Sequence, residues 1–108
     1  MSAHVINIPQ KQCHYNATKA AVVQLTKSLA VEWAPYNVRV NTVCPGYIMT
    51  PLLRKADKAL LDTWASYSPQ KRIADPSELK GIFVFLASQA ASYFTGSVIV
   101  ADGGYSLC

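Results

Sequence analysis

Ser97-Val-Ile-Val-Ala101, close to the end of the chain, is a nearly continuous apolar run with β-branched residues at its centre. Such a run predicts a strand buried on both faces, the kind parallel sheets use because helices cover both sides. Asp102-Gly103-Gly104 ends it with a turn signal. A second strand is predicted over Asn37-Val-Arg-Val-Asn-Thr-Val-Cys44, where valine alternates with polar residues up to Pro45-Gly46. Val5 and Ile6 read as the end of a third strand running into a Pro9-Gln10 loop. Helical stretches lie between. Residues 14–34 are rich in Ala, Leu, Lys and Glu, with Val22, Val23, Leu29, Ala30 and Trp33 at helical spacing and a stop at Pro35 and Asn37. A second helix is predicted from Pro51 to Trp64, and a third from Pro76 to about Ser88, capped by Asp75 or Ser77. A short helical turn is predicted at 89–93. The order is strand, helix, strand, helices, strand, so the class is α/β with parallel pairing. Two good strands make a poor sheet and leave an unpaired apolar edge. Residues 1–108 are therefore expected to be the C-terminal portion of a larger single domain.

Composition narrows the function classes. Half the residues are apolar (51%) and 15% are charged, which argues against intrinsic disorder. No apolar run approaches the roughly 18 residues of a membrane span, and Met1-Ser-Ala-His-Val-Ile-Asn-Ile-Pro9 has no basic start or long apolar core of a signal peptide. Cys13, Cys44 and Cys108 are odd in number and widely spaced, unlike a disulfide framework or a zinc site. His4 and His14 lack a convergent third ligand, so no metal is expected. A reducing, cytoplasmic setting is the simplest reading. The net charge of +4 is spread along the chain, its densest groups being Arg54, Lys55, Lys58 and Lys71, Arg72. Without a basic cluster or interleaved aromatics, no nucleic-acid partner is expected. A solvated face or a pocket for an anionic cofactor accounts for the excess.

Two stretches carry chemistry. Tyr15-Asn-Ala-Thr-Lys19 sits in the first helical region, where residues four apart share a face. A phenol with an ordinary pKa of about 10 is a poor base at neutral pH. A neighbouring ammonium stabilises phenolate and brings it towards acid/base duty. The spacing alone is weak, because Tyr67-Ser-Pro-Gln-Lys71 repeats it. Pro69 breaks any regular helical face there, and this context selects the first pair. The second stretch is Cys44-Pro-Gly-Tyr-Ile-Met-Thr50, just past the C-terminal end of a strand, where open α/β sheets bind ligands. Gly46 permits close backbone approach, Ile48 offers main-chain N–H and C=O to an amide, and Thr50 offers a hydroxyl. An ordinary strand-to-helix turn is the structural alternative.

Taken together, Tyr15-Asn-Ala-Thr-Lys-Ala-Ala21, Asn37-Val-Arg-Val-Asn41, Pro45-Gly-Tyr-Ile-Met-Thr50, Thr95-Gly96 and Asp102-Gly-Gly-Tyr105 resemble the C-terminal part of a short-chain dehydrogenase/reductase. More narrowly, Met1 to Gln10, Leu29-Ala-Val-Glu-Trp33 and the Asp-Gly-Gly-Tyr ending are similar to fungal polyol/ketose reductases of the mannitol and arabinitol dehydrogenase type. The resemblance implies a doubly wound, Rossmann-type parallel sheet and hydride transfer between a nicotinamide cofactor and a sugar alcohol or ketose. In it Tyr15 is the general acid/base. Lys19 lowers the tyrosine's pKa and holds the nicotinamide ribose. Pro45, Gly46, the Ile48 main chain and Thr50 bind the cofactor. Ser2 lies thirteen residues before Tyr15, the family's usual separation for the site serine. In the polyol reductases that serine precedes the methionine matching Met1, so both assignments stay open. His4 and Tyr47 are placed beside the substrate, and Met49, Trp64 and Tyr67 in the segment that covers it. NADP is the family preference, with NAD not excluded. Ala17, Ala20 and Ala21 mark a helix that family members pair in a homo-oligomer. No glycine-rich phosphate-binding stretch occurs, since the five glycines are 46, 81, 96, 103 and 104. The rival reading is accordingly a truncated non-catalytic fragment or subunit-interaction remnant unable to bind cofactor alone.

Overall fold

The computed structural model describes residues 1–107; Cys108 lies outside them. Its first regular element is α1 (Cys13–Glu32). Trp33 closes it by donating its N–H to the Leu29 carbonyl, a 3₁₀ turn over Ala34–Tyr36 follows, and Asn37 adopts a left-handed conformation at φ 57°. Asn is among the few non-glycine residues that visit this region readily. Val23, Thr26 and Ala30 form the buried stripe of α1, while Val22, Leu25 and Val31 remain exposed.

Two strands, β1 (Thr42–Pro45) and β2 (Val98–Ala101), pair in parallel with Thr42 opposite Val98 and Pro45 opposite Ala101. The Thr26 and Thr42 hydroxyls meet where α1 packs on β1. Between the strands lie α2 (Lys58–Tyr67) and α3 (Lys80–Ala87). Asp75 caps the 3₁₀ turn Pro76–Leu79 that leads into α3, accepting from the Ser77 N–H while Glu78 accepts from the Asp75 N–H. This is the reciprocal capping box. Arg39 donates to the Leu86 and Phe94 carbonyls at 2.7 and 3.3 Å, tying the approach to β1 to the end of α3. Asn41 bridges the same region, donating to the Phe94 carbonyl and accepting from the Ser97 N–H.

Beyond β1 the ladder gains one more bond, from the Gly46 N–H to the Ala101 carbonyl at 3.0 Å. Here the chains leaving the two strands are pressed together. A Cβ on residue 46 would stand 2.7 Å from the Asp102 Cα and 2.9 Å from its Cβ. Only glycine fits such an approach. Asp102 accepts from the Gly104 and Ser106 N–H groups, fixing the turn from its own side.

Several expectations are corrected. Val5 and Ile6 form no strand. Their segment has no ladder partner among the described residues, and its long-range main-chain tie is the Met1 amine donating to the Pro45 carbonyl. The strand begins at Thr42 rather than Asn37, because residues 39–41 spend their polar groups on the 86–97 segment instead of a neighbouring strand. The helix expected from Pro51 starts at Lys58. The Thr50 hydroxyl and carbonyl capture the N–H groups of Leu53 and Arg54 in a 3₁₀ turn, Ala56 is extended, and Asp57 restarts the helix as its N-cap. β2 is not buried on both faces: Val100 is 42% exposed, since the helix packed on the pair lies against β1. Phe83 (54% exposed) and Trp33 are not core residues, and Phe85 is half-buried edge-on to Phe94. The parallel pairing, the Asp75 cap and the turn after α3 (Gln89–Ala91) match expectation.

Gly46→Ala is expected to cost about 1–3 kcal/mol of stability through overpacking. The check is a lowered urea midpoint at constant slope; an unchanged midpoint would show that the two strand ends are not held so close.

Candidate active site

α1 and the C-terminal end of β1 border a cavity of about 550 Å³. Tyr15 and Lys19 both line it from the first two turns of α1, on one face of the helix. The Lys19 ammonium stands over the Tyr15 ring, 5.2 Å from its centroid. Tyr15 is 44% exposed. The competing pair is not assembled in this way. Tyr67 ends α2, Ser68 is extended, Lys71 adopts φ 53°, and the Lys71 ammonium donates to the Ser66 carbonyl at 2.6 Å.

Pro45, Gly46, Tyr47, Ile48 and Thr50 form the opposite wall. An isolated parallel bridge between Ile48 and Ala74 sets this loop: the Ala74 N–H donates to the Tyr47 carbonyl and the Met49 N–H to the Ala74 carbonyl. In a parallel bridge the central residue's own N–H and C=O point away from the partner. The Ile48 main chain is thereby turned aside from Ala74, its carbonyl accepting from the Thr50 N–H at 2.7 Å. The Thr50 hydroxyl accepts from the Leu53 N–H at 3.3 Å and keeps its own proton for donation.

Ser2 lines the same cavity, whereas His4 does not; its Nε2 rests 3.7 Å from the Cys44 Sγ. The loop carrying both is tied to α1 through Asn16, which accepts from Gln12 Nε2 and donates to the Val5 carbonyl. Trp64 is 5% exposed and stacks on Tyr47 with centroids 4.7 Å apart; Tyr105 meets Tyr47 edge-on. Tyr67, edge-on to Tyr105, does not line this cavity, and neither does Met49. The structure also brings in Asn7, 3% exposed, which sequence reasoning missed. A polar residue in an irregular loop gives no periodic sign of burial.

Across the Tyr47–Trp64 stack lies another cavity, of about 450 Å³, lined by Asp102, Gly103 and Tyr105. Its charged side chains are committed: Arg72 to Glu78 at 2.7 Å and Asp102 to two N–H groups. The uncommitted phenol–ammonium pair belongs to the first. Among the described residues no group of three or more potential metal ligands occurs, and no helix is long and apolar enough to cross a membrane.

The nicotinamide end of a dinucleotide fits these residues: an ammonium for ribose hydroxyls, main-chain groups and a hydroxyl for a carboxamide, and apolar Val22 and Leu52 for a ring face. Burial pushes the Tyr47 phenol up to about 12. The folded protein thus keeps this proton where the unfolded chain, with a phenol near 10, releases it. The Tyr47 contribution to stability is complete below about pH 10 and is lost between about pH 10 and 12. In an alkaline absorbance titration, Tyr47→Phe is expected to remove the last phenol to ionise; wild-type phenols all ionising together near pH 10 would contradict this.

Residues 1–106 match the family model described as enoyl-(acyl carrier protein) reductase. The chain is 55% identical over 105 residues to sorbose reductase of Schizosaccharomyces pombe, covering 97% of this chain and 41% of that protein. It is 48% identical over 106 residues to the NADP-dependent mannitol dehydrogenase of Hypocrea jecorina, covering 98% and 40%. The crystal structure of a short-chain type dehydrogenase/reductase from Mycobacterium marinum superposes with a TM-score of 0.89 at 52% identity, covering 97% and 41%. The chain thus spans about two fifths of the length of the relatives it matches. With a parallel strand pair, a cavity at its C-terminal end and similarity of this extent, the chain belongs to the short-chain dehydrogenase/reductase family.

Proposed function

We propose that this chain carries the acid/base and nicotinamide-binding residues of an NADP(H)-dependent oxidoreductase that interconverts a sugar alcohol and a ketose. The observation that carries the reading is the Lys19 ammonium over the Tyr15 ring on the wall of one cavity. Similarity to a sorbose reductase and an NADP-dependent mannitol dehydrogenase supports the substrate class and the choice of NADP over NAD. Bound cofactor supplies or accepts the hydride. In reduction, the Tyr15 hydroxyl gives its proton to the carbonyl oxygen as that oxygen gains charge; in oxidation it takes the alcohol proton back. Lys19 contributes a positive charge beside the phenolate this leaves, and donors for the ribose hydroxyls. Pro45, Gly46, Ile48 and Thr50 orient the carboxamide, and Ser2 or a serine ahead of Met1 holds the substrate oxygen. A homo-oligomer in the cytoplasm completes the reading, and the exposed Ala17, Ala21 and Leu25 of α1 support the oligomer.

In protein expressed from its native gene, Tyr15→Phe is expected to lower NADPH-dependent ketose reduction by about 10²–10⁴-fold with cofactor binding retained. Lys19→Met is expected to weaken both. Normal turnover by Tyr15→Phe, measured as NADPH oxidation, would refute the proposed role.

A further inference from the structure

Three buried side-chain polar atoms lack a hydrogen-bond partner among the described residues: Asn7 Oδ1, Tyr47 Oη and Trp64 Nε1. Buried polar groups are paired in the large majority of cases, so each orphan calls for a physical reason. These three are not scattered. Their residues all line the cavity that holds Tyr15 and Lys19. Tyr47 and Trp64 are stacked on each other, and the Asn7 amide and the Tyr105 phenol both neighbour the Tyr47 hydroxyl without making a hydrogen bond of ordinary geometry to it.

The atoms have complementary needs. An amide oxygen only accepts, an indole N–H only donates, and a phenol does both. A hydroxyl is the small group that donates and accepts at once, and the stacked rings beside it offer an apolar face for C–H groups. We infer, resting on the function proposed above, that Asn7, Tyr47 and Trp64 hold a hydroxyl of the substrate's polyhydroxylated chain and select such substrates against unhydroxylated ketones. The three atoms lie beneath the cavity surface. Binding in this way includes a turn of the Asn7 amide, whose oxygen no partner holds, to admit the ligand hydroxyl. A site built to pair a hydroxyl rejects the analogue without one, because its own polar groups then stay unpaired.

The test compares kcat/KM for sorbose with that for cyclohexanone, in protein expressed from its native gene. Asn7→Leu and Tyr47→Phe are each expected to lower the ratio of the two by about tenfold or more, chiefly through KM for sorbose. An unchanged ratio, or equal losses on both substrates, would overturn the inference by reducing these residues to structural ones. Tryptophan emission titrated with mannitol gives a readout independent of turnover. A saturable change is expected in the wild type, absent in Trp64→Phe and shifted about tenfold to higher mannitol in Asn7→Leu. If the protein reduces no carbonyl compound, the proposed function fails, and this titration alone decides the binding claim: saturable Asn7-dependent binding upholds it, and its absence overturns it.

Discussion

The contact between Gly46 and Asp102 governs the geometry of everything downstream of it. Two short parallel strands leave little ladder to hold their ends in place, and residue 46 sits where a single methyl group would collide with the facing backbone. The strand exits are therefore locked side by side. One exit becomes the Tyr47–Thr50 loop and the other the Asp102–Tyr105 turn, with Tyr47 and Tyr105 packed edge to face between them. The Ile48–Ala74 bridge then fixes the loop's rotation, so the Ile48 main chain turns away from the 74 segment. α1, held on β1 through Thr26 and Thr42, brings Tyr15 and Lys19 up to the same opening.

How much of this is visible in the amino acids depends on the range of the interaction. Local chemistry reads well. Asp75-Pro-Ser-Glu78 is a capping box by residue type and is one in the fold; Pro35 and Asn37 end α1 as their backbone preferences require. The Tyr15/Lys19 face follows from helical periodicity, and Pro69 keeps Tyr67 and Lys71 off a common helical face. What sequence does not carry is partnership. Val5-Ile6 has strand composition and joins no strand among the described residues. Asn37–Asn41 has the alternation of a strand, and its polar side chains bind the 86–97 segment instead. Phe83 and Val100 have core composition but are only partly covered by the residues around them. Asn7 shows the same limit at the site: it is buried in an irregular loop where nothing local announces it.

The chemistry divides between the two walls of the cavity. The α1 wall carries the phenol of Tyr15, which we propose transfers the proton, and the ammonium of Lys19. The loop wall carries main-chain groups and one hydroxyl, which suit recognition of a flat amide. Asn7 and the stacked Tyr47 and Trp64 add a buried polar corner, where hydrogen bonds are stronger than in water and unpaired groups more costly. The proposed function thus places proton transfer, cofactor orientation and substrate choice on different residues of one opening, so substitutions are expected to separate them.

Central to the proposal is that the nicotinamide ring lies in this opening, within reach of Tyr15. The most direct measurement is nuclear Overhauser transfer from the nicotinamide protons of bound NADP(H) to ring-labelled tyrosines, in protein expressed from its native gene. Transfer to the Tyr15 ring is the expected result. Transfer confined to Tyr105 or Tyr67 on the other side of the aromatic stack, with none to Tyr15, would contradict it.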